Sequence, residues 1–182
     1  MRSLLSRPPT DLASFIGRKW LESITINLNR TNRTIVDFYT EVGNTGTAES
    51  DLYSTTLQAN LLDLNGDKIL AEYSGTFIPA GAGTRQLKIY FAGNVILDTG
   101  ALTIAPDAAW TAYVTIIKVS ATSAFYSVTV HTAGITTQTY TATDTLTGLD
   151  LTTTNILKIT GTGAATNDIL AKLGTVEWRA AA

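Results

Sequence analysis

The residues best suited to chemistry lie in the segment Ile96-Leu97-Asp98-Thr99-Gly100-Ala101. A carboxylate on a tight turn can act as a general base, and two carboxylates that share one proton can activate a water molecule for hydrolysis. Two such carboxylates would require two copies of the chain, because Asp-Thr-Gly occurs once in the sequence. The site would also need other segments that brace the loop and cover the substrate.

This hexapeptide resembles the active-site loop of retroviral-type aspartic proteases, but the surrounding sequence does not. Those enzymes also need a glycine-rich flap hairpin and a later apolar-apolar-Gly segment that braces the loop. The sequence contains no convincing flap, and Lys172-Leu173-Gly174 matches the brace poorly. We therefore interpret Asp98 as the end of a strand and Thr99-Gly100 as a turn.

Metal and nucleophile chemistry have little support elsewhere in the chain. Asp63, Asn65 and Asp67 resemble a calcium loop, but Gly66 precedes Asp67, whereas the EF-hand pattern places glycine after the third ligand. Asn65-Gly66 between two apolar pairs instead predicts a hairpin turn. The single histidine, His131, ends a predicted strand and is expected to be exposed, and the chain has no cysteine. We predict no catalytic residue, no metal and no cofactor, and hence no enzyme.

The segments that must position any site are short strands with two-residue alternation. In residues 68–78, Ile69, Ala71, Tyr73 and Phe77 are separated by mostly polar residues, as a strand with one buried face requires. The same pattern predicts a buried set in later strands, which contains Leu87, Ile89, Phe91, Tyr126, Val128, Val130, Leu157 and Ile159. In the last strand the alternation changes phase, which predicts a bulge at Gly174.

Strands follow one another at short intervals through most of the chain. They are predicted at 23–28, 34–42, 52–58, 68–78, 85–91, 94–98, 110–119, 124–131, 135–141, 155–161 and 168–178. Since no helix is predicted between them, the pattern indicates an antiparallel sandwich or barrel rather than a parallel sheet.

Composition argues against several classes of function. Charged residues make up 15% of the chain, against about 25% in a typical globular domain, and threonine occupies 32 positions. A net charge of -2 argues against a nucleic-acid partner, because that binding depends on neutralising phosphates. No stretch approaches the roughly 18 apolar residues of a membrane span, and residues 1–9 lack the apolar core of a signal peptide. We expect no membrane partner, and the neutral surface suits side-by-side association.

Charge is segregated along the chain. Residues 1–33 carry six basic and two acidic side chains, whereas residues 34–182 carry seven basic and thirteen acidic ones. A basic segment on an acidic body suggests an anchor. After Pro8 and Pro9, Thr10 can cap a short helix at about 10–20 that has one apolar stripe. We therefore divide the chain into an anchoring arm at 1–45, with this helix and then strands, and a β-domain at 46–182.

The arm is expected to bind a partner through its basic and apolar side chains. Gly17 makes the helix marginal by itself, because glycine costs about 1 kcal/mol relative to alanine within a helix. The predicted partner-binding residues are Arg2, Arg7, Leu12, Phe15, Ile16, Arg18, Lys19 and Trp20. The alternative is that the arm folds back on its own body.

Three aromatic residues in predicted strands suggest a second kind of partner. Trp110, Tyr113 and Tyr126 could form a platform on which a sugar ring stacks. The alternative is that they belong to the core, where aromatic residues in strands are common.

Several short motifs follow one another between Tyr73 and Trp178. They are Gly83-Thr84-Arg85-Gln86-Leu87-Lys88-Ile89-Tyr90-Phe91-Ala92-Gly93, Asp98-Thr99-Gly100-Ala101, Trp110, Thr145-Leu146-Thr147-Gly148, Lys158-Ile159-Thr160-Gly161-Thr162-Gly163, and Asn167-Asp168-Ile169 with Val176-Glu177-Trp178. In this order and spacing, they resemble a family of tailed-bacteriophage virion proteins with a jelly-roll domain. The resemblance implies an all-β fold, an antiparallel jelly-roll β-sandwich, here with an extended N-terminal arm that contains a short helix.

The resemblance also implies a place on the exterior of a virus particle and no reaction. Members of the family are capsid decoration (cement) proteins, head fibres, or distal pieces of tail fibres. We expect a protein made in the host bacterial cytoplasm that forms homotrimers and docks through its arm on the major capsid protein or another virion protein. Decoration is the first choice. The alternative is a head-fibre or tail-fibre tip that binds host surface glycans.

Overall fold

The computed structural model describes residues 32–78, 83–103, 107–133 and 137–181, and these residues form eleven strands and no helix. The strands are β1 (Arg33–Phe38), β2 (Val42–Gly43), β3 (Ser50–Leu57), β4 (Lys68–Phe77), β5 (Gln86–Phe91), β6 (Asn94–Asp98), β7 (Ala108–Ser120), β8 (Ser123–Ala133), β9 (Gln138–Thr147), β10 (Asn155–Thr162) and β11 (Ile169–Arg179). The expected helix at about 10–20, the strand at 23–28 and the eight partner-binding residues of the arm lie outside the described residues.

The strands form two antiparallel sheets, as the sequence predicts. The larger, seven-stranded sheet has the order β1-β11-β4-β7-β8-β9, with β2 also paired to β11, and the smaller has the order β3-β10-β5-β6. Side chains from both sheets meet in one hydrophobic core. The described residues are therefore a β-sandwich, and the all-β antiparallel class is confirmed.

Two-residue alternation correctly predicts which side chains form this core. In β4, Ile69, Tyr73 and Phe77 are fully buried and Ala71 nearly so. The predicted residues of β5 and β10 are also fully buried, and those of β8 are buried except for the half-buried Tyr126. Each strand has one face covered by the opposite sheet, so residues of one parity are removed from water and residues of the other parity remain at the surface.

Residues 32–45, which the sequence analysis placed in the arm, supply two strands of the larger sheet. Both β1 and β2 pair antiparallel with β11. The Phe38 ring stacks on Tyr53 of the smaller sheet, with the ring centres 4.3 Å apart. The Tyr53 hydroxyl donates a hydrogen bond to the Thr40 carbonyl at 2.8 Å. These contacts tie the segment to both sheets.

The two ends of the described chain lie beside each other. The Ala180 N–H donates to the side-chain oxygen of Asn32 at 3.2 Å, and the next N–H, that of Ala181, donates to the Asp67 carboxylate at 2.8 Å. The chain thus begins its first strand and finishes its last at the same end of the sandwich.

The predicted hairpin at Asn65-Gly66 is wrong, although the turn itself is present. Gly66 has a φ of +92°, which glycine adopts without strain. The strands on either side, β3 and β4, lie in different sheets, so the connection crosses the sandwich instead of joining paired neighbours. The Asn-Gly pair predicts only the local turn. The strands that pair with β4 are β7 and β11, which lie far along the chain.

The loop before β4 is closed by hydrogen bonds to a later strand. The Lys118 ammonium donates to the carbonyl oxygens of Leu62, at 2.8 Å, and Asp63, at 2.6 Å. The Asp67 carboxylate accepts the N–H of Leu64 at 2.8 Å. The residues that resemble a calcium loop therefore bond to N–H groups and an ammonium. The described ranges contain no group of three or more His, Asp or Glu side chains suited to a metal ion.

The predicted bulge in β11 lies at Lys172 and not at Gly174. Ala171 pairs with Gly75 and Leu173 with Ser74, so Lys172 is the extra residue. Gly174 has a different role, because a Cβ at that position would come within 2.8 Å of the Tyr73 ring. The alternation does change phase in β11, but the extra residue is Lys172, two positions before Gly174.

A buried ion pair fastens one end of the sandwich. The Arg85 guanidinium lies 3.1 Å from the Asp168 carboxylate, and their side chains are 2% and 0% exposed. The same carboxylate accepts the N–H groups of Ala164, at 2.8 Å, and Ala165, at 2.9 Å. Asn44, also buried, accepts the Ile169 N–H through its side-chain oxygen at 2.9 Å. This cluster joins the residue before β5, the β10–β11 connection and the residue after β2.

Removing one partner of this ion pair should be strongly destabilising. We expect Asp168→Ala to lower the free energy of unfolding by about 3–5 kcal/mol, because it removes the carboxylate that pairs with the buried guanidinium and that accepts two half-buried N–H groups. Asp51→Ala is the matched control, since Asp51 is half exposed and pairs with Lys158 at the surface, and it should cost at most about 1 kcal/mol. Denaturant unfolding measures both, and equal costs would contradict this role for Asp168.

Candidate functional site

The Asp-Thr-Gly segment forms the turn that the sequence analysis predicted. Asp98 ends β6 and is exposed, and its carboxylate accepts the Gly100 N–H at 2.7 Å and the Gln86 side-chain amide at 2.6 Å. Thr99 is buried, and its hydroxyl oxygen accepts the Leu87 N–H at 3.0 Å. Gly100 has a φ of +66°. These bonds fasten the turn to β5, which gives each of the three residues a structural role.

The predicted aromatic platform of Trp110, Tyr113 and Tyr126 does not form. Trp110 is only 1% exposed, and half-buried Tyr126 packs against the core. Tyr113 is 46% exposed on the opposite face of the larger sheet. Positions 110 and 113 differ in parity, so a single strand cannot present both on one face. The prediction grouped the three residues because all are aromatic, and it did not consider which face of the sheet each side chain occupies.

A shallow groove surrounds Tyr113 on the outer face of the larger sheet. Its volume is about 270 Å³. The antiparallel register places Glu72 directly opposite Tyr113 and Thr175 opposite Glu72, so these three side chains form one row. Further along β11, the groove is also lined by Glu177 and Arg179, whose carboxylate and guanidinium lie 3.0 Å apart.

The groove combines groups that suit a polar, ring-shaped ligand. The ring of Tyr113 meets the imidazole of His131 edge-on, with 6.1 Å between the ring centres. The exposed His131, as predicted, bonds through Nδ1 to the Thr139 hydroxyl at 3.0 Å. An exposed aromatic ring offers an apolar surface, while nearby carboxylates and a guanidinium offer hydrogen bonds to hydroxyl groups. This arrangement can hold a sugar ring by stacking and hydrogen bonding.

The β9 side of the outer face is rich in hydroxyl groups. The residues of β9 that point to this side are Thr139, Thr141, Thr143, Thr145 and Thr147, and all of them are exposed. Threonine combines the β-branched shape that packs on a pleated strand with a hydroxyl that bonds to water. Strand β9 thus places five threonine hydroxyls on one surface.

A second polar cluster lies on the smaller sheet around Glu49. Its carboxylate accepts hydrogen bonds from the Tyr90 hydroxyl at 2.6 Å, the Thr160 hydroxyl at 2.8 Å and the Lys88 ammonium at 3.0 Å. The ammonium of Lys158 lies 5.2 Å from the centre of the Tyr90 ring. Sequence analysis missed this cluster because its members are 39, 41 and 111 residues from Glu49.

The hydrogen bonds in this cluster change the acidity of Glu49. Burial by itself would raise the pKa of Glu49, but the hydrogen bonds from Tyr90, Lys88 and Thr160 together outweigh burial and hold the pKa below its usual value. The carboxylate therefore stays ionised and fastens the segment before β3 to β5 and β10.

This lowered pKa predicts that stability falls in acid. Ionised Glu49 stabilises the fold above its unfolded pKa, about 4.3, and the contribution is lost as the pH falls through the lower folded pKa. We expect Glu49→Gln to unfold more easily than the natural chain at pH 7, and the difference to shrink below about pH 4. Denaturant unfolding across pH measures this, with Glu177→Gln as the control for an ordinary surface ion pair. A difference that is constant across pH would contradict it.

The sequence matches no protein-family model and no curated protein. Among solved structures, a protein of unknown function from Shewanella oneidensis MR-1 is similar at 8% identity and a TM-score of 0.41, over 87% of this chain and 94% of that one. The C-terminal domain of EclA, a sugar-binding protein, gives 11% identity and a TM-score of 0.34, over 80% and 78%.

Two structures of infectious bursal disease virus are also similar. A chain from the Gt strain gives 12% identity and a TM-score of 0.33, over 82% of this chain and 33% of that one. The VP2 subviral particle gives 12% identity and a TM-score of 0.27, over 82% and 40%. All four TM-scores are below 0.5, so no functional argument is drawn from these likenesses.

Within the described ranges, no helix is long and apolar enough to cross a membrane. The surfaces described above are the groove around Tyr113, the threonine-rich side of β9 and the Glu49 cluster. The eight arm residues predicted to bind a partner lie outside the described ranges.

Proposed function

We propose that this protein is a non-enzymatic structural protein of a bacteriophage virion, and that it decorates the capsid exterior as a cement protein. The observation that carries the proposal is the contrast between a basic segment at residues 1–33, with six basic and two acidic side chains, and the acidic sandwich that follows it. The basic segment would bind the particle, and the sandwich would form the exposed part.

The architecture of the sandwich supports this role. The chain's last strands lie among its first ones, with β10 between β3 and β5 and β11 beside β4. Such interleaving resists unravelling from either end, and it agrees with the jelly roll that the resemblance implies. We therefore propose that the sandwich is a jelly roll of the virion family.

The proposed partners follow from the same division of roles. The arm would dock on the major capsid protein or another virion protein, and the sandwich would associate with two further copies as a homotrimer on the virion exterior, after synthesis in the bacterial cytoplasm. A small domain at the junction of capsid subunits adds interface area to the shell and favours the assembled state by mass action. No nucleic acid or membrane is required.

Deleting residues 1–31 tests the anchor. The deletion stops before β1 and so removes none of the strands that the structure describes. We expect a soluble, folded protein that no longer binds purified phage particles, measured by co-sedimentation. Circular dichroism and an unfolding curve like that of the full chain serve as the folding control. Undiminished binding by the truncated protein would refute the anchoring role of the arm.

The alternative is a head-fibre or tail-fibre tip that binds host surface glycans. The groove around Tyr113 favours it, because an exposed ring stands beside Glu72, Glu177 and Arg179. In that case the arm would join a fibre shaft or adaptor, and the outer face of the larger sheet would meet the host.

A glycan array separates the two roles. If the tip proposal holds, the full chain binds a subset of glycans and Tyr113→Ala reduces that binding at least about tenfold, since stacking on an aromatic ring contributes a large share of sugar affinity. Tyr39→Ala is the matched control, because Tyr39 is also highly exposed but follows β1, which lies three strands away from β7 in the sheet. Equal loss in both variants, or no glycan binding by the full chain, would favour decoration.

A further inference from the structure

Strand β9 is an open edge of the larger sheet. Among the described strands it pairs with β8 alone, and the register runs without a shift from Ser123 opposite Thr147 to Thr132 opposite Gln138. Proteins usually protect such edges with lysine, proline, a bulge or a charge that points inward. This ten-residue strand has no lysine, no proline and no bulge, and its one inward charge is Asp144. Its outward N–H and C=O groups therefore form a regular template for another strand.

The sequence of β9 is nearly symmetric about Thr143. Residues 139–147 read Thr-Tyr-Thr-Ala-Thr-Asp-Thr-Leu-Thr, with threonine at every odd position. Reversing the order exchanges Tyr140 with Leu146, two large apolar side chains, and Ala142 with Asp144. A two-fold interface requires one surface to complement itself, because residue i meets residue j and residue j meets residue i. The strand fulfils this requirement.

We propose that β9 pairs antiparallel with β9 of a second copy of the chain, about a two-fold axis at Thr143. The pairing joins the larger sheets of the two copies into one continuous sheet. Thr143 faces its own counterpart, Thr141 faces Thr145 of the second copy, and Thr139 faces Thr147 of the second copy. Nine residue pairs supply about eight to ten backbone hydrogen bonds, close to the number in a typical protein interface.

Both faces of the joined sheet are compatible with this register. On the outer face, the odd positions continue the rows that begin at His131, Thr129 and Ser127, and opposed threonines are a favourable cross-strand pair. On the core side, Tyr140 meets Leu146 of the second copy. Both residues are only half buried in one copy, so the pairing removes more of their apolar surface from water.

The charges also permit the pairing. Asp144 is the only charged residue in β9, and it faces Ala142 of the second copy rather than another carboxylate. The two Asp144 side chains are diagonal neighbours, about 7–8 Å apart. No like charges are directly opposed, which would be unfavourable.

This interface is independent of the proposed virion role. A two-fold contact through β9 leaves other surfaces for a three-fold contact, and it should form with purified protein and no phage component.

Single cysteine substitutions test both the pairing and its register, because the natural chain has no cysteine. Directly opposed residues of antiparallel strands have Cα atoms about 4.5–5.5 Å apart, within the 4.4–6.8 Å range that a disulfide spans. We expect full-length Thr143→Cys to form a covalent dimer under mild oxidation, seen on a non-reducing gel.

The matched control is Thr141→Cys, an equally exposed threonine of the same strand. Its two copies would lie four residues apart along the strand, about 13 Å, so it should not cross-link by itself. Mixed with Thr145→Cys, it should give a disulfide-linked dimer of the two variants. Cross-linking of Thr141→Cys alone to the same extent as Thr143→Cys would refute this register.

A charge substitution tests the same axis without disulfide chemistry. Thr143→Lys places two ammonium groups opposite each other, and it should weaken dimerisation at least about tenfold in sedimentation experiments. Thr129→Lys, on the same face but within the sheet, should leave dimerisation unchanged. If folded Thr143→Cys stays uncross-linked, the proposal is wrong.

Discussion

The core that the two sheets share is the constraint on which the rest of this structure depends. Each strand can bury only one face against the opposite sheet, so side chains of alternate parity go to the core and to the surface. Fully buried residues such as Tyr73, Ile89 and Ile159 come from both sheets. The same rule decides which side chains are available for binding, because Tyr113 reaches solvent only through its odd position in β7.

The arrangement of the core could be predicted well, because alternation is a local property that each strand carries in its own sequence. All nine strands from β3 onward were predicted, although the strand expected at 135–141 covers only the first part of β9, which ends at Thr147. The residues predicted to be buried in β4, β5, β8 and β10 are buried, apart from the half-buried Tyr126. The turn at Asp98 was predicted for the same reason, since turn residues act over a few positions. The bulge of β11 is displaced by two residues, from the predicted Gly174 to Lys172.

The contacts that tie distant segments together could not be predicted. Arg85 and Asp168 are far apart in the chain, and nothing near either residue indicates that it is buried and paired. The Glu49 cluster has the same character, and the hairpin expected at Gly66 failed because the partner of β4 is chosen by the whole sandwich. The groove around Tyr113 also needs the register of β4, β7 and β11, which no single strand contains.

The position of Asn32 beside Ala180 gives the sandwich a polarity. Strand β11 runs from Ile169 to Arg179, a distance of about 35 Å at the usual rise per residue. The Arg85–Asp168 ion pair lies beside the start of β11, and Asn32 lies beside its end. The length of β11 therefore separates the two. Any polypeptide fused to the C-terminus would therefore leave the sandwich close to Asn32. A peptide inserted into the loop that holds Ala164 and Ala165, beside the ion pair, would project from the opposite end of the sandwich.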